Sequence, residues 1–147
     1  AYLISKFFIY VGKGNNYIFG QGPFNGEYNL EESATSNQYR YSRHLNALRA
    51  NEVLQRNGGS FKWINEAIKA TRKLKKEENI KKIQIPILLF QSGKDTFVND
   101  EGHNTFRKYA KNCKFVRFDN GKHELYFEND DILEPYLKEI VKFYNEI

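Results

Sequence analysis

The feature that most constrains the fold is a pair of short apolar runs separated by a helical pattern. Ile83–Phe90 is an isoleucine-rich, almost continuous apolar stretch with polar residues on both sides. Lys114–Phe118 is a second run, closed by Asp119-Asn120-Gly121. Continuous short runs suit strands buried on both faces, as in parallel sheets, rather than the alternation of a half-solvated sheet. Between them, Asn99 can cap a helix through Phe106, Tyr109 and Ala110, and Asp100 and Glu101 suit the positive end of its dipole. After the second run, Asp131 can cap a last helix with Pro135 in its first turn. Its expected buried stripe is Leu133, Leu137, Ile140, Val141 and Tyr144. The order strand–helix–strand–helix predicts the α/β class, with helices covering a parallel sheet. Two strands are fewer than such a sheet needs.

The residues before Ile83 read differently, as helices and loops. Leu3, Ile4, Phe7, Phe8 and Val11 follow helical spacing, so residues 2–12 are expected to form an amphipathic helix. Gly12, Gly14, Asn15 and Asn16 stop it, and residues 20–26 are rich in glycine and other turn formers. Ser36 can cap a second helix, with Tyr41, Leu45 and Leu48 on one side, running to about Leu54. Asn57-Gly58-Gly59 breaks it and Ser60 caps a third, whose expected face is Ile64, Ala67, Ile68, Thr71 and Leu74. The sequence thus divides into a helical region, 1–82, and an α/β region, 83–147.

Composition removes several classes. With 40% hydrophobic and 16% aromatic residues, the 147-residue chain has the apolar content that disordered chains lack. Its single cysteine, Cys113, cannot build a disulfide framework. The longest apolar run, Phe7–Val11, is far short of the roughly 20 residues of a membrane span. No secretory signal is visible, so a reduced, cytoplasmic setting is expected. The chain opens at Ala1 and has no methionine, which we read as a cut from a longer polypeptide. Residues 1–82 carry 14 Lys+Arg against 7 Asp+Glu, and residues 83–147 carry 9 against 11. The basic excess therefore lies wholly in the helical half. It suits either a solvated face or phospholipid headgroups at the inner face of a membrane. No nucleic-acid motif accompanies it, so no nucleic-acid partner is expected.

Two residues stand where chemistry gathers in open α/β sheets, beyond the carboxyl ends of the strands. Asp95 follows the first run in Gln91-Ser92-Gly93-Lys94-Asp95, and His123 follows the second in Asp119-Asn120-Gly121-Lys122-His123. A carboxylate beside an imidazole can fix its tautomer and stabilise the imidazolium formed when it accepts a proton. The plainer reading is a turn-capping aspartate and a loop histidine, and spacing alone leaves both open. Asp119 is a rival acid, four residues before His123. Cys113 reads as a small packing residue. His123-Glu124 lacks the second histidine of H-E-x-x-H because residue 127 is Phe, and His44 and His103 are far apart in sequence, so no metal site is expected.

Ile85–Asp95 resembles the acid-bearing strand of α/β-hydrolases, and Asn120-Gly121-Lys122-His123-Glu124-Leu125 resembles their histidine loop. Three earlier stretches, Phe19–Phe24, Arg40–Arg43 and Arg49–Asn51, resemble the lysophospholipase L2 and monoacylglycerol-lipase branch, and Ser60–Ala67 continues the likeness. The resemblance implies a helical cap at 1–82 followed by the C-terminal part of an α/β-hydrolase core at 83–147. It implies Asp95 as the acid and His123 as the base of a Ser-His-Asp triad. The implied substrates are carboxylic esters of glycerol lipids, a lysophospholipid or a monoacylglycerol, and no metal or organic cofactor is implied. Trp63, Tyr41 and the Phe7-Phe8 pair are candidates for lining a site for the acyl chain, and all are equally ordinary packing residues.

The nucleophile elbow G-x-S-x-G is absent from the sequence. In the family it precedes the cap, as do the strands that supply the oxyanion hole. The nucleophile is therefore expected upstream of Ala1, and the chain by itself is expected to hydrolyse nothing. An open-edged two-strand piece is expected to pair, with a complementing N-terminal fragment or with a second copy. The alternatives are a non-catalytic α/β binding module and an esterase for small soluble esters.

Overall fold

The computed structural model describes residues 1–56 and 58–147. Asn57, one residue of the expected helix-breaking Asn57-Gly58-Gly59, lies outside the described residues. The chain forms helices α1 (Tyr2–Tyr10), α2 (Gln38–Ala50), α3 (Phe61–Leu74) and α4 (Glu77–Ile80), strand β1 (Ile87–Ser92), helix α5 (Asp100–Tyr109), strand β2 (Cys113–Phe118) and helix α6 (Asp130–Glu146). Short 3₁₀ turns lie at Glu52–Leu54 and Leu125–Phe127. The chain divides into two compact units, and the division passes through α2.

The first unit comprises Ala1–Glu27 and Ala47–Lys76. Ser60 caps α3 as expected, its side chain accepting from the Trp63 N–H at 3.1 Å. The expected face of α3 is met in part: Ile64, Ala67 and Ile68 are half-buried. Thr71 and Leu74 are exposed, whereas Phe61 and Asn65 are buried. The cause lies on α1. The Phe61 ring stacks on Phe8 with centroids 4.1 Å apart, and Phe19 meets both rings edge-on at 5.5 Å. Asn65 donates from Nδ2 to Ser5 Oγ at 3.0 Å, and that hydroxyl donates to the Tyr2 carbonyl at 2.8 Å. A satisfied polar pair can be buried, and no apolar periodicity reveals it.

The second unit comprises Tyr28–Asn46 and Glu77–Ile147. β1 and β2 pair in parallel, in register from Ile87 opposite Cys113 to Ser92 opposite Phe118. The expected parallel pairing is observed, but β1 starts late. Pro86 has no N–H to give a ladder, Ile85 is exposed, and the first bond runs from Ile87 N to the Asn112 carbonyl at 2.8 Å. Along β1 only Gln91 and Ser92 are buried, and the preceding apolar residues are half-buried. Burial on both faces is therefore not reached, since each strand has one strand neighbour among the described residues. Asn99 caps α5 by accepting from the Glu101 N–H at 2.7 Å.

α6 differs from expectation in three ways. Its cap position is Asn129 rather than Asp131, and the Asn129 side chain accepts from Asn37 Nδ2 at 2.9 Å instead of capping the helix. Pro135 consequently lies beyond the first turn, where its missing N–H cannot close a bond to the Asp131 carbonyl. Of the expected stripe, Leu133 and Ile140 are half-buried and Leu137, Val141 and Tyr144 are exposed, while the covered side centres on buried Ile132 with Tyr136 half-buried beside it. Tyr136 packs on Phe90 at 4.6 Å and on Phe118 at 6.4 Å, and Glu139 pairs with Lys114 at 2.9 Å. These contacts from the two strands turn the helix away from its most apolar stripe.

Candidate active site

Parallel pairing puts the carboxyl ends of β1 and β2 at one edge, and the chain leaves both strands there in tight turns. The turns are bonded together: Gly93 N donates to the Phe118 carbonyl at 2.8 Å and Lys94 N to the Gly121 carbonyl at 2.9 Å. Only glycine fits at position 93. A Cβ there would lie 2.4 Å from the Asp119 carbonyl oxygen and 2.6 Å from its Cα, both backbone atoms. This close approach sets the spacing between the turn carrying Asp95 and the turn carrying His123.

Asp95 and His123 meet across that gap, with Nδ1 of His123 2.8 Å from Oδ2 of Asp95. The other carboxylate oxygen of Asp95 accepts from the main-chain N–H groups of Phe97 at 2.8 Å and Val98 at 3.0 Å. The Asp95 side chain is 5% exposed and that of His123 is 38% exposed. Burial pushes the Asp95 carboxyl upward, but the bond to His123 and the two backbone N–H groups outweigh it and hold it below the usual aspartate range. The Phe97 ring lies 5.2 Å from the imidazole, tilted by 36°. An imidazole that donates Nδ1–H to a carboxylate leaves Nε2 as an acceptor. With its partly exposed ring, such a pair can take a proton from a hydroxyl and return it to a leaving group.

The remaining candidates are placed as follows. Asp119, the rival acid, is 80% exposed and accepts from Arg117 Nε at 2.6 Å. Cys113 opens β2, half-buried, and burial pushes its thiol up, away from nucleophilic use. Among the described residues, no three His, Cys, Asp or Glu side chains gather as a metal site. Tyr41, in the second unit, accepts from the Asn29 N–H at 3.1 Å through its hydroxyl and packs edge-on against Tyr28 at 5.1 Å. Trp63, in the first unit, is exposed and lines an open concavity of about 980 Å³ with Tyr17, Ile18 and Phe24.

Sequence reasoning missed three residues around the histidine. Phe97 supplies both a main-chain donor to Asp95 and a ring beside His123; its signal in the sequence is the apolar pair Phe97-Val98 in a loop of glycine and polar residues. Lys122 and Glu128 flank the histidine turn and bond to the Leu30–Ser36 segment. Their partners lie about 90 residues away in sequence, where no local pattern reaches.

Two comparisons bear on this geometry. The family model described as serine aminopeptidase, S33, matches residues 16–130. The probable lysophospholipase L2 of Haemophilus influenzae is 30% identical over 138 residues, which are 92% of this chain and 42% of that protein. The chain thus spans about two fifths of the length of that curated relative.

Proposed function

Because the chain belongs to the serine aminopeptidase S33 family of α/β-hydrolases, we propose that Asp95 and His123 are the acid–base half of a Ser-His-Asp carboxylic-ester hydrolase. The observation that carries this reading is the 2.8 Å bond between His123 Nδ1 and Asp95 Oδ2. In the reaction, a serine hydroxyl attacks the acyl carbonyl as His123 Nε2 takes its proton. His123 then protonates the departing alcohol, and water, deprotonated by the same nitrogen, releases the acid. Asp95 keeps Nδ1 protonated and stabilises the imidazolium at each stage. Its depressed proton affinity keeps it charged throughout.

The relative's name as a lysophospholipase supports a single-acyl glycerol lipid, lysophospholipid or monoacylglycerol, as substrate. The serine and its oxyanion hole are assigned to polypeptide outside these residues, because the sequence contains no G-x-S-x-G. On this reading residues 1–82 serve as the cap and residues 83–147 as the C-terminal part of the core, and the chain alone hydrolyses no ester. The open edges of the two-strand sheet pair with complementing polypeptide or with a second copy. The basic residues of 1–82 touch anionic lipid at the cytoplasmic face.

The test is to express the chain alone and joined to the in-frame polypeptide encoded before Ala1. Both forms are treated with a fluorophosphonate probe and assayed on lysophosphatidylcholine, monoacylglycerol, short-chain esters and an aminoacyl amide. Labelling and lipid-ester hydrolysis by the joined form alone support the proposal. A preference for short esters or for the amide overturns the substrate assignment. Absence of any labelling in the joined form favours the non-catalytic binding module, and labelling of the 147-residue chain itself overturns the missing nucleophile.

A further inference from the structure

The residues on either side of His123 are held by an arrangement that ordinary packing does not need. Glu128 is fully buried, with 0% of the residue exposed. Burying a carboxylate is costly unless its oxygens are satisfied. Here they collect main-chain amides. One oxygen accepts from Lys122 N at 2.9 Å and from Ser36 N at 3.1 Å, and the other accepts from Asn129 N at 3.2 Å. Glu128 thus ties the residue before His123 to a segment 92 positions away. The residue after His123 is tied to the same segment, Glu124 N donating to the Ala34 carbonyl at 2.9 Å.

The rest of the segment reinforces this clamp. The Lys122 ammonium donates to the carbonyls of Leu30, Glu31 and Ser33 at 3.0, 2.7 and 3.3 Å. Thr35, itself buried, donates from Oγ1 to the Phe127 carbonyl at 2.7 Å. The guanidinium of Arg40 donates to the Glu128 carbonyl and pairs with Asp130. The histidine itself takes no part in these bonds. Its ring bonds to Asp95 and lies beside Phe97, so the direction of its main chain decides whether Nδ1 reaches the carboxylate.

We propose that Glu128 is a positioning residue for His123: its buried carboxylate, bonded to the amides of Ser36, Lys122 and Asn129, sets the histidine turn so that the imidazole meets Asp95. It touches no reacting atom and is not a catalytic residue. The inference rests on reading Asp95–His123 as the acid–base pair. Glutamine at position 128 keeps the shape but replaces one acceptor with an NH₂ group facing main-chain donors, so at least one of the three bonds is lost.

The test uses the full 147-residue chain and ¹⁵N-histidine NMR, reading the His123 tautomer and the exchange of its Nδ1–H with water. The amides of β1 and β2 report the fold in the same samples. In the parent chain His123 is expected in the Nδ1–H tautomer with slow exchange. Glu128→Gln is expected to speed that exchange by about tenfold or more and to mix the tautomers, with the strand amides unchanged. Should Glu128→Gln fail to fold, Thr35→Val removes the bond of Oγ1 to the Phe127 carbonyl and the one it accepts from Asn37 N, at nearly constant volume, and is expected to speed the exchange by a few-fold. Parent-like His123 signals in a folded Glu128→Gln chain, or in Thr35→Val where the first variant does not fold, overturn the inference. Asp95→Asn separates the two readings. A changed His123 signal there, with none in Glu128→Gln, overturns only the role of Glu128. No change in Asp95→Asn overturns the acid–base pair itself.

Discussion

His123 Nδ1 sits 2.8 Å from Asp95 Oδ2, while the other oxygen of the same carboxylate is taken by the N–H groups of Phe97 and Val98. A carboxylate held by three donors is fixed in place before any substrate arrives. Asp95 therefore contributes to the stability of its turn as well as to the orientation of the imidazole. Replacing it with Ala is expected to destabilise the second unit by about 1.5–3 kcal/mol, the usual range for a bond to a charged group, measured by urea unfolding.

The same bonds give a pH signature. The folded chain holds the Asp95 carboxyl below the usual aspartate range, so the unfolded chain takes up this proton first as pH falls. The stability Asp95 adds is complete above the ordinary aspartate value, about pH 4. It declines below that value and is gone once pH passes the lower folded value. Urea titrations between neutral and strongly acid pH are expected to show this loss in the parent chain and a smaller one in Asp95→Asn.

Gly93 sets the distance between the two turns. In Gly93→Ala the new methyl would meet the Asp119 backbone at 2.4 Å, and neither partner has a flexible end that could yield. The expected cost is about 1–3 kcal/mol, as for overpacking elsewhere. Chemical-shift changes should concentrate at residues 93–98 and 119–124.

The helix faces give a contrast in the first unit. Phe61 is 4% exposed against the Phe8 ring, and Leu74 is 65% exposed. Phe61→Ala is expected to cost about 3–5 kcal/mol. Leu74→Ala, on the stripe that the apolar pattern favours, is expected to stay within about 0.5 kcal/mol. Equal costs in urea unfolding would contradict the observed orientation of α3.

What could be read from the chain follows the range of the interactions. Ser60 and Asn99 cap helices through bonds to residues two or three positions ahead, and such caps are visible in any local window. The two strands were legible from their apolar runs, and Asp95 and His123 from following those runs. The buried faces of α3 and α6 were legible only in part. They are chosen by Phe8 and Ser5 in one case and by Phe90, Phe118 and Lys114 in the other. The clamp of Glu128 and Lys122 onto the Leu30–Ser36 segment was equally hidden, since its bonds span about 90 residues.

Trp63 offers a direct probe of lipid contact, because it is the single tryptophan of the chain and is 62% exposed. Its emission is expected to be that of a hydrated indole. Lysophosphatidylcholine below its micellar concentration should shift that emission to the blue if the concavity beside it takes an acyl chain. An unshifted spectrum at saturating lipid would remove Trp63 from the substrate site.

The most direct measurement is kcat for lysophospholipid hydrolysis by a polypeptide that joins these residues to the proposed nucleophile-bearing segment, with and without His123→Ala. A base that carries the proton in both half-reactions is expected to leave a deficit of about 10⁴-fold or more when removed, at parent-like stability. Activity within tenfold of the parent after loss of His123 would contradict the assignment.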